Sequence, residues 1–351
     1  MNTSPNPQMF SDIDYASKAA SLLQNTDGSL VAVGDHIKSD VTNIAINQAA
    51  RIREDAIGSL NPTFGPVVDN WSVWTDGKVL VGKKEETTSA SEQNIVAESI
   101  AIGFDRPTSD DGVVGFVLNL GQDNTDVGTA STNVNSNNYS LSTYRIFRQG
   151  DNSFVESVIG IGHLELDMVR TDGSDTLTGA RKANQIFLSI ALKREDKIKV
   201  RGLITDHNNF LFSPYTKLSL AYTRLDGFSE TGGTTALTFD GQNVNDATVR
   251  IGADISSLIP INRGSIKPFG KFEYNASVSD TSATMHYSSE STNYTAELDK
   301  TNVNWKLGYG IDFMTKGGWN SSASYMKEES VGSGQTSQYS DSFRFNVGVG
   351  F

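Results

Sequence analysis

Phe343-Arg344-Phe345-Asn346-Val347-Gly348-Val349-Gly350-Phe351 closes the chain, apolar at every odd position and polar or Gly at every even one. Period-2 alternation over this length is a β-strand with two unlike faces. In a soluble protein such a terminal strand would be an exposed edge inviting aggregation. In a closed barrel it pairs with the first strand, and its apolar face meets lipid. The reading therefore begins with a membrane barrel.

From Asn70 onward the same period recurs. Strands are expected near 70–84, 94–106, 112–122, 137–149, 153–170, 183–205, 212–226, 243–258, 264–278, 302–316, 319–330 and 340–351. Val303, Trp305, Leu307, Tyr309, Ile311 and Phe313 alternate cleanly with Asn304, Lys306, Gly308, Gly310 and Asp312. Each segment supplies the roughly 9–11 residues that a tilted strand needs to cross a bilayer. The connections alternate as well. Gln149–Asn152, Pro260–Gly264, Thr315–Gly318 and Arg106–Gly112 are short. Lys84–Gln93, Gln122–Ser136, Thr171–Lys182, Gly227–Gln242 and Val278–Lys300 are longer and richer in Ser, Thr, Asn and acid. Short turns at one end and long loops at the other are the habit of outer-membrane barrels. Arg194-Glu195-Asp196-Lys197 is a candidate turn inside 183–205, and Met285–Leu298 alternates too poorly to count. The expected fold is an all-β, 12-stranded antiparallel transmembrane β-barrel. A β-sandwich or soluble β-solenoid is the rival, opposed by the strand number, the terminal Phe and the inward charges.

Composition is compatible. The 351 residues are 37% hydrophobic with 32 Gly and no Cys, and the mean hydropathy is −0.33. No apolar run reaches the roughly 18 residues of a membrane helix, but barrel strands give only half their residues to lipid. The net charge of −12 argues against a nucleic-acid partner. Met1-Asn2-Thr3-Ser4-Pro5 has neither basic n-region nor apolar h-region. The expectation is a C-terminal piece of a longer protein, with Met1 a cloning start.

Residues 1–69 have helical rather than strand character and form the expected linker or passenger remnant before a barrel over 70–351. Ser11–Asn25 suits a short helix. Ser39–Leu60 suits a longer one, with Ser39 or Asp40 as N-cap and Gly58 with Asn61-Pro62 at its end. Its Ala, Asn and Arg mixture lacks a wide apolar stripe and fits the inside of a wet barrel. Arg51, Arg53 and Glu54 would pair with lumen charges such as Arg250, Asp254, Lys271 and Glu273. Other inward charges expected are Asp76, Lys78, Asp105, Glu165, Asp167, Lys217, Lys267, Lys306, Asp312 and Arg344. Trp71, Tyr222, Trp305, Tyr309, Trp319 and Tyr325 are placed to form aromatic girdles, with Tyr139 beside them.

Ser213-Pro214-Tyr215 opening a strand, followed by Asp226-Gly227-Phe228-Ser229-Glu230-Thr231-Gly232, resembles the autotransporter (type Va secretion) β-domain. Val249–Ala253, Lys267-Pro268-Phe269, Leu307-Gly308-Tyr309-Gly310 and the terminal Gly350-Phe351 extend the likeness in order across 70–351. Trp71-Ser72-Val73-Trp74 departs from the family's usual start. The resemblance implies an outer-membrane translocator of a Gram-negative bacterium, exporting an N-terminal passenger and driven by passenger folding outside. It places a helix in a twelve-stranded pore and Phe351 at the periplasmic side. It makes Phe343, Phe345, Val347, Val349 and Phe351 an assembly signal. The implied partners are the passenger, the barrel assembly machinery, periplasmic chaperones, and the bilayer with its lipopolysaccharide. The chain is expected to act as a monomer with no cofactor, metal or nucleotide loop.

A stand-alone porin or adhesin is the alternative, and a barrel hydrolase a further one. Four His are present, His36, His163, His207 and His286, without Gly-x-Ser-x-Gly. His163 with Glu165 and Asp167, if on one inward face, reads better as a salt network than as a proton-transfer cluster. No catalytic residue is expected. Autocatalytic cleavage of the helix, which some autotransporters perform, would fall to Asn43 or Asn47 here.

Overall fold

The computed structural model describes residues 44–46, 48–57, 71–86, 91–108, 112–128, 132–172, 175–199, 209–279, 282–289, 293–297, 301–331 and 337–350. The expected helix at Ser11–Asn25, together with 39–43, 58–70, His36, Asn43, Asn47, His207 and Phe351, lies outside them. Twelve antiparallel strands close into a barrel. In chain order they are β1 Ser72–Lys84, β2 Gln93–Thr108, β3 Gly112–Val127, β4 Thr132–Arg148, β5 Ser153–Asp172 and β6 Asp175–Arg194. The second half is β7 Asn209–Leu225, β8 Gln242–Ser257, β9 Gly264–Ser279, β10 Thr301–Thr315, β11 Trp319–Ser330 and β12 Gln338–Gly350. Each pairs with its chain neighbours. The seam is β1 against β12, with Ser72 opposite Gly350, Val79 opposite Phe343 and Lys84 opposite Gln338. Closure leaves no edge in lipid.

The outward face carries the apolar alternation in register. Ile100, Leu120 and Tyr139 form one level across β2–β4, Ile102, Leu118 and Leu141 the next, and Phe104, Phe116 and Thr143 the third. Rows with polar or charged members bound it, Glu98–Gln122–Asn137 towards the loops and Arg106–Val114–Arg145, charged on either side of Val114, towards the turns. At about 3.3 Å per residue and a tilt near 40°, these rows stand roughly 20 Å apart across the membrane. Phe343 and Phe345 are 57% and 59% exposed, as a lipid-facing strand requires.

Inside, five aromatic rings lie across glycines of the adjacent strand. Trp74 covers Gly103, Tyr144 covers Gly115, Phe187 covers Gly160, Tyr215 covers Gly252 and Phe269 covers Gly310. A Cβ on Gly115 would stand 2.5 Å from Cζ of Tyr144. With no Cβ beneath it, each ring lies along the wall instead of projecting into the lumen. Tyr144 Oη donates to Oδ2 of Asp105 at 2.6 Å and Trp74 Nε1 donates to the same oxygen at 3.1 Å, which ties β1, β2 and β4 together.

Several expectations for the strands and loops need correction. The segment expected at 183–205 ends at Arg194, and its start reaches back to Asp175. Asp172 therefore faces Asp175 in a tight hairpin where Thr171–Lys182 was expected to loop. After Arg194 the chain turns, and 196–199 pairs antiparallel with 209–212 at the foot of β7. Gly227–Gln242 and Val278–Lys300 are also more than loops. Residues 228–229, 237–239, 282–287 and 294–297 form a separate four-stranded sheet over the loop end. Burial is the reason. Phe228, Leu237, Phe239, Ala283 and Met285 are buried with Leu164, Leu166 and Met168 of the projecting β5–β6 hairpin.

The Asp226–Gly232 motif builds this cap. Phe228 stacks on Phe239 with centroids 4.5 Å apart, and the Arg181 guanidinium lies 5.6 Å from the Phe228 centroid. Arg170 of β5 grips buried Glu230 twice, Nε to Oε1 at 3.1 Å and Nη2 to Oε2 at 2.6 Å, and also donates to the Thr235 carbonyl. Gly232 holds φ at 116°, a conformation that favours glycine.

Candidate functional site

The helix α1, described over 44–46 and 48–57, lies inside the barrel. Its sequence is rich in strong helix formers, Ala45, Ala49, Ala50, Arg51, Arg53, Glu54 and Ala56. The same alanines let it lie close to the wall. Ala45, Ala49 and Ala56 are buried, and Ile52 rests against Gly162, where a Cβ would come within 2.9 Å of its Cγ2. Gln185 Nε2 donates to the Ala49 carbonyl at 3.0 Å and to Thr223 Oγ1 at 2.8 Å. The loop-end half of α1 is less polar in place than its composition implies. Ile44, Ala45, Ala49 and Ile52 join one buried apolar cluster with Val127, Val134, Leu164, Leu225, Phe228 and Met285. The apolar stripe, narrow in the sequence, is widened by partners from the cap.

The other half is held by ion pairs to several strands. Arg51 Nε lies 2.6 Å from Asp123 Oδ1 of β3. Arg53 pairs with Asp246 of β8, and Glu54 with Arg250 of β8 and, at 3.8 Å, Lys306 of β10. Asp55 lies 2.6 Å from Lys78 of β1 and 3.8 Å from Arg344 of β12. Thus Arg51, Arg53, Glu54 and Arg250 meet at the helix. Glu273 lies behind Arg250 at 3.6 Å and accepts from Tyr215 Oη at 2.8 Å. Asp254 and Lys271 find partners on the wall instead. Lys193 lies 3.1 Å from Asp254, and Lys271 sits 5.0 Å over the Tyr215 ring. The helix contacts that sequence reasoning missed are Asp55 on the helix itself and Asp123, Asp246, Lys78, Lys306 and Arg344 on the wall. The last three are expected lumen charges that the sequence does not match to the helix.

Beside α1, on the wall from β7 through β12 to β1, a cavity of about 390 Å³ remains, lined by Lys217, Lys267, Lys306, Asp312, Glu328 and Arg344 among others. The lumen is thus filled on the β2–β6 side and open, with charged walls, on the other.

Two inward expectations fail. Glu165 and Asp167 belong to the outward face of β5, together with His163. His163 Nδ1 lies 2.9 Å from Asn184 Oδ1, and Glu165 Oε1 lies 2.8 Å from Lys182 Nζ and 3.6 Å from His163 Nε2. Leu164, Leu166 and Met168 take the inward positions because the cap needs an apolar floor. The His163 group therefore faces away from the lumen.

The girdle candidates spread over three heights. Trp71 and Trp319 stand at the turn end, and Tyr222 and Trp305 stand towards the loops. Tyr309, Tyr325 and Phe343 form a mid-height stack with centroids 5.3 and 5.2 Å apart. Val347 and Val349 lie half-buried on the outward face of β12 below Phe343 and Phe345.

Comparison with known proteins gives this geometry a context. A family model described as the autotransporter β-domain matches residues 73–326. Among solved structures, the fold is similar to the translocator domain of autotransporter NalP from Neisseria meningitidis, with TM-score 0.65, 16% identity, and 88% of this chain and 96% of that one covered. It is similar to the β-domain of the Bordetella autotransporter BrkA, with TM-score 0.59, 14% identity, and 81% and 100% covered. The transport unit of AIDA-I from Escherichia coli gives TM-score 0.54, 13% identity, and 87% and 97% covered. No curated protein sequence matches the chain.

Proposed function

The chain belongs to the autotransporter β-domain family, and from that membership we propose how its lumen is used. It is an integral outer-membrane translocator domain, and its linked partner is an N-terminal passenger. A stand-alone porin or adhesin is not favoured. We take residues 1–69 as the passenger remnant and linker, and 70–351 as the translocator unit. In our reading the barrel with α1 docked is the state reached after export, the helix serving as a plug. The observation that carries this reading is the set of pairs from Arg51, Arg53, Glu54 and Asp55 to β1, β3, β8, β10 and β12. Charges on opposite walls hold the helix in the lumen against the β2–β6 side, while the apolar cluster seals its loop end.

The finer assignments rest on the same footing. Phe343, Phe345, Val347, Val349 and Phe351 serve as the strand read by the barrel assembly machinery after periplasmic chaperones have kept the chain unfolded. Trp71, Tyr222, Trp305, Tyr309, Trp319 and Tyr325 anchor the barrel to lipid and lipopolysaccharide, and the barrel acts as a monomer. Cleavage of α1 at Asn43 or Asn47 falls outside the described residues and forms no part of the proposal.

The test is export itself. A folded reporter preceded by a signal peptide is fused before residue 1 and expressed in Escherichia coli. Protease added to intact cells should remove the reporter while the barrel survives. A reporter that stays protected until the outer membrane is broken would refute translocation.

A further inference from the structure

The barrel wall beneath α1 carries buried polar groups that the helix does not use. Along β4 the inward positions read Ser136, Asn138, Ser140 and Ser142, and Asn119 of β3 stands directly opposite Ser140. All five are buried. Ile52 of α1 rests against Gly162, the β5 partner of Ser140. Ala56 packs with Val117 and Tyr144, the next inward residues towards the turns after Asn119 and Ser142. Both amide atoms of Asn119, Oδ1 of Asn138 and the hydroxyls of Ser136, Ser140 and Ser142 have no hydrogen-bond partner among the described residues. Across β6 and β7 comparable groups pair with each other. Ser189 Oγ lies 3.1 Å from Ser219 Oγ, and Gln185 Nε2 donates to Thr223 Oγ1. Native proteins pair nearly all of their buried polar groups, so an unpaired row of this kind calls for a ligand. A helix cannot be that ligand, because its N–H and C=O groups bond along its own axis. An extended chain can. It leaves backbone groups free, with a repeat of about 6.8 Å per two residues, and the inward side chains of β4 repeat at the same spacing.

We propose that Asn119, Ser136, Asn138, Ser140 and Ser142 form a track for the backbone of the passenger as it crosses the barrel in extended form, and that α1 covers the track once export is complete. Amide and hydroxyl side chains suit this use. Each both donates and accepts, so the track engages a passing backbone whatever side chains it carries. The groups are uncharged, so acidic and basic stretches of the passenger meet the same surface. The proposal rests on the translocator reading and adds to it the path of the chain, along β3 and β4.

The test pulse-labels the full chain in Escherichia coli, with a signal peptide and reporter before residue 1, and times the reporter's arrival at the protease-accessible surface. Asn119→Leu with Ser140→Ala and Ser142→Ala removes the polar atoms at nearly constant shape. Export should slow by roughly two- to tenfold, as for one net hydrogen bond lost in transit. The thermal midpoint of the helix-docked barrel should hold or rise, because unpaired buried groups are gone. Ser322→Ala with Ser324→Ala, on the wall of the open cavity, should export at the native rate. Native-rate export by the triple variant would overturn the proposal. So would a lower midpoint with higher conductance, which would make these groups anchors of α1. Failure of the native chain to export would instead remove the translocator reading, and the track with it. If the triple variant does not assemble, a photo-cross-linking side chain at position 140 decides, in a chain stalled by a disulfide-closed reporter. It should capture the passenger several times more often than the same group at position 324, and equal capture would overturn the proposal.

Discussion

Arg51 of the lumenal helix places its Nε 2.6 Å from Oδ1 of Asp123, whose other oxygen accepts from Asn138 Nδ2 at 3.2 Å. Asp123 is buried. Removing one partner of such a pair leaves an uncompensated charge, at a cost of about 3–5 kcal/mol. Arg51→Ala should therefore loosen the helix and increase channel flicker in planar bilayers. Adding Asp123→Ala should recover part of the effect, with a coupling of roughly 0.5–3 kcal/mol by double-mutant cycle. Strict additivity would mean that the pair does not hold the helix.

The cap over the loop end depends on Arg170 and Glu230. Glu230 also accepts from the Leu237 N–H at 2.9 Å, so one carboxylate organises both the hairpin and the small sheet. Glu230→Ala should open the cap to protease in residues 226–242, while the barrel retains its heat-modifiable mobility. Unchanged cleavage kinetics would show that the stacked Phe228 and Phe239 suffice alone.

Gly115 should tolerate no side chain. A Cβ there would meet the Tyr144 ring at 2.5 Å and the Phe104 carbonyl oxygen at 2.7 Å. Gly115→Val should slow barrel folding in detergent and lower its thermal midpoint, with a penalty on the order of 1–3 kcal/mol for forced repacking. Gly317→Ala, whose new Cβ would meet nothing nearer than Thr315 Oγ1 at 3.9 Å, is the matched control and should fold normally.

Phe345→Asp puts a charge on the lipid face of the closing strand. A charge at membrane depth costs up to about 2–4 kcal/mol, less for acids than for bases. The expected outcome is reduced assembled barrel in outer-membrane fractions with unchanged total expression. Arg344→Gln, facing the lumen beside Asp76, should assemble. Equal assembly of all three chains would remove the strand's proposed role.

The barrel was legible because period-2 alternation is written locally. Leu307, Tyr309 and Ile311 against Lys306, Gly308 and Gly310 allow little else. The loop-end elements were not legible, because they depend on distant burial. Leu164, Leu166 and Met168 alternate with His163, Glu165 and Asp167, and alternation alone cannot say which set faces the lumen once a strand leaves the membrane. There lipid no longer claims the apolar face, and the cap does. Met285 to Leu298 reads as poor strand because its outer partner, 237–239, lies nearly fifty residues away in sequence, while its own two halves, 282–285 and 294–297, pair only as a short hairpin. For the helix, the charged residues were plain, but their partners were not. Pairing depends on height in the barrel, and Asp123 and Asp246 sit in segments that read as loop or as strand ends. Glycines fall opposite aromatics on both faces when neighbouring strands are aligned, Gly103 opposite Trp74 in the lumen and Gly270 opposite Tyr309 outside, so this pairing does not choose the face.

The central claim is that the helix plugs the lumen. Single-channel conductance of the folded chain against a chain lacking residues 1–57 tests it most directly. With the helix gone, the apolar cluster loses Ile44 and Ile52 and the ion pairs of Arg51 to Asp55 vanish. The account predicts a barrel that still folds and conducts several times more current at the same salt and voltage. Equal conductance of the two folded barrels would contradict it.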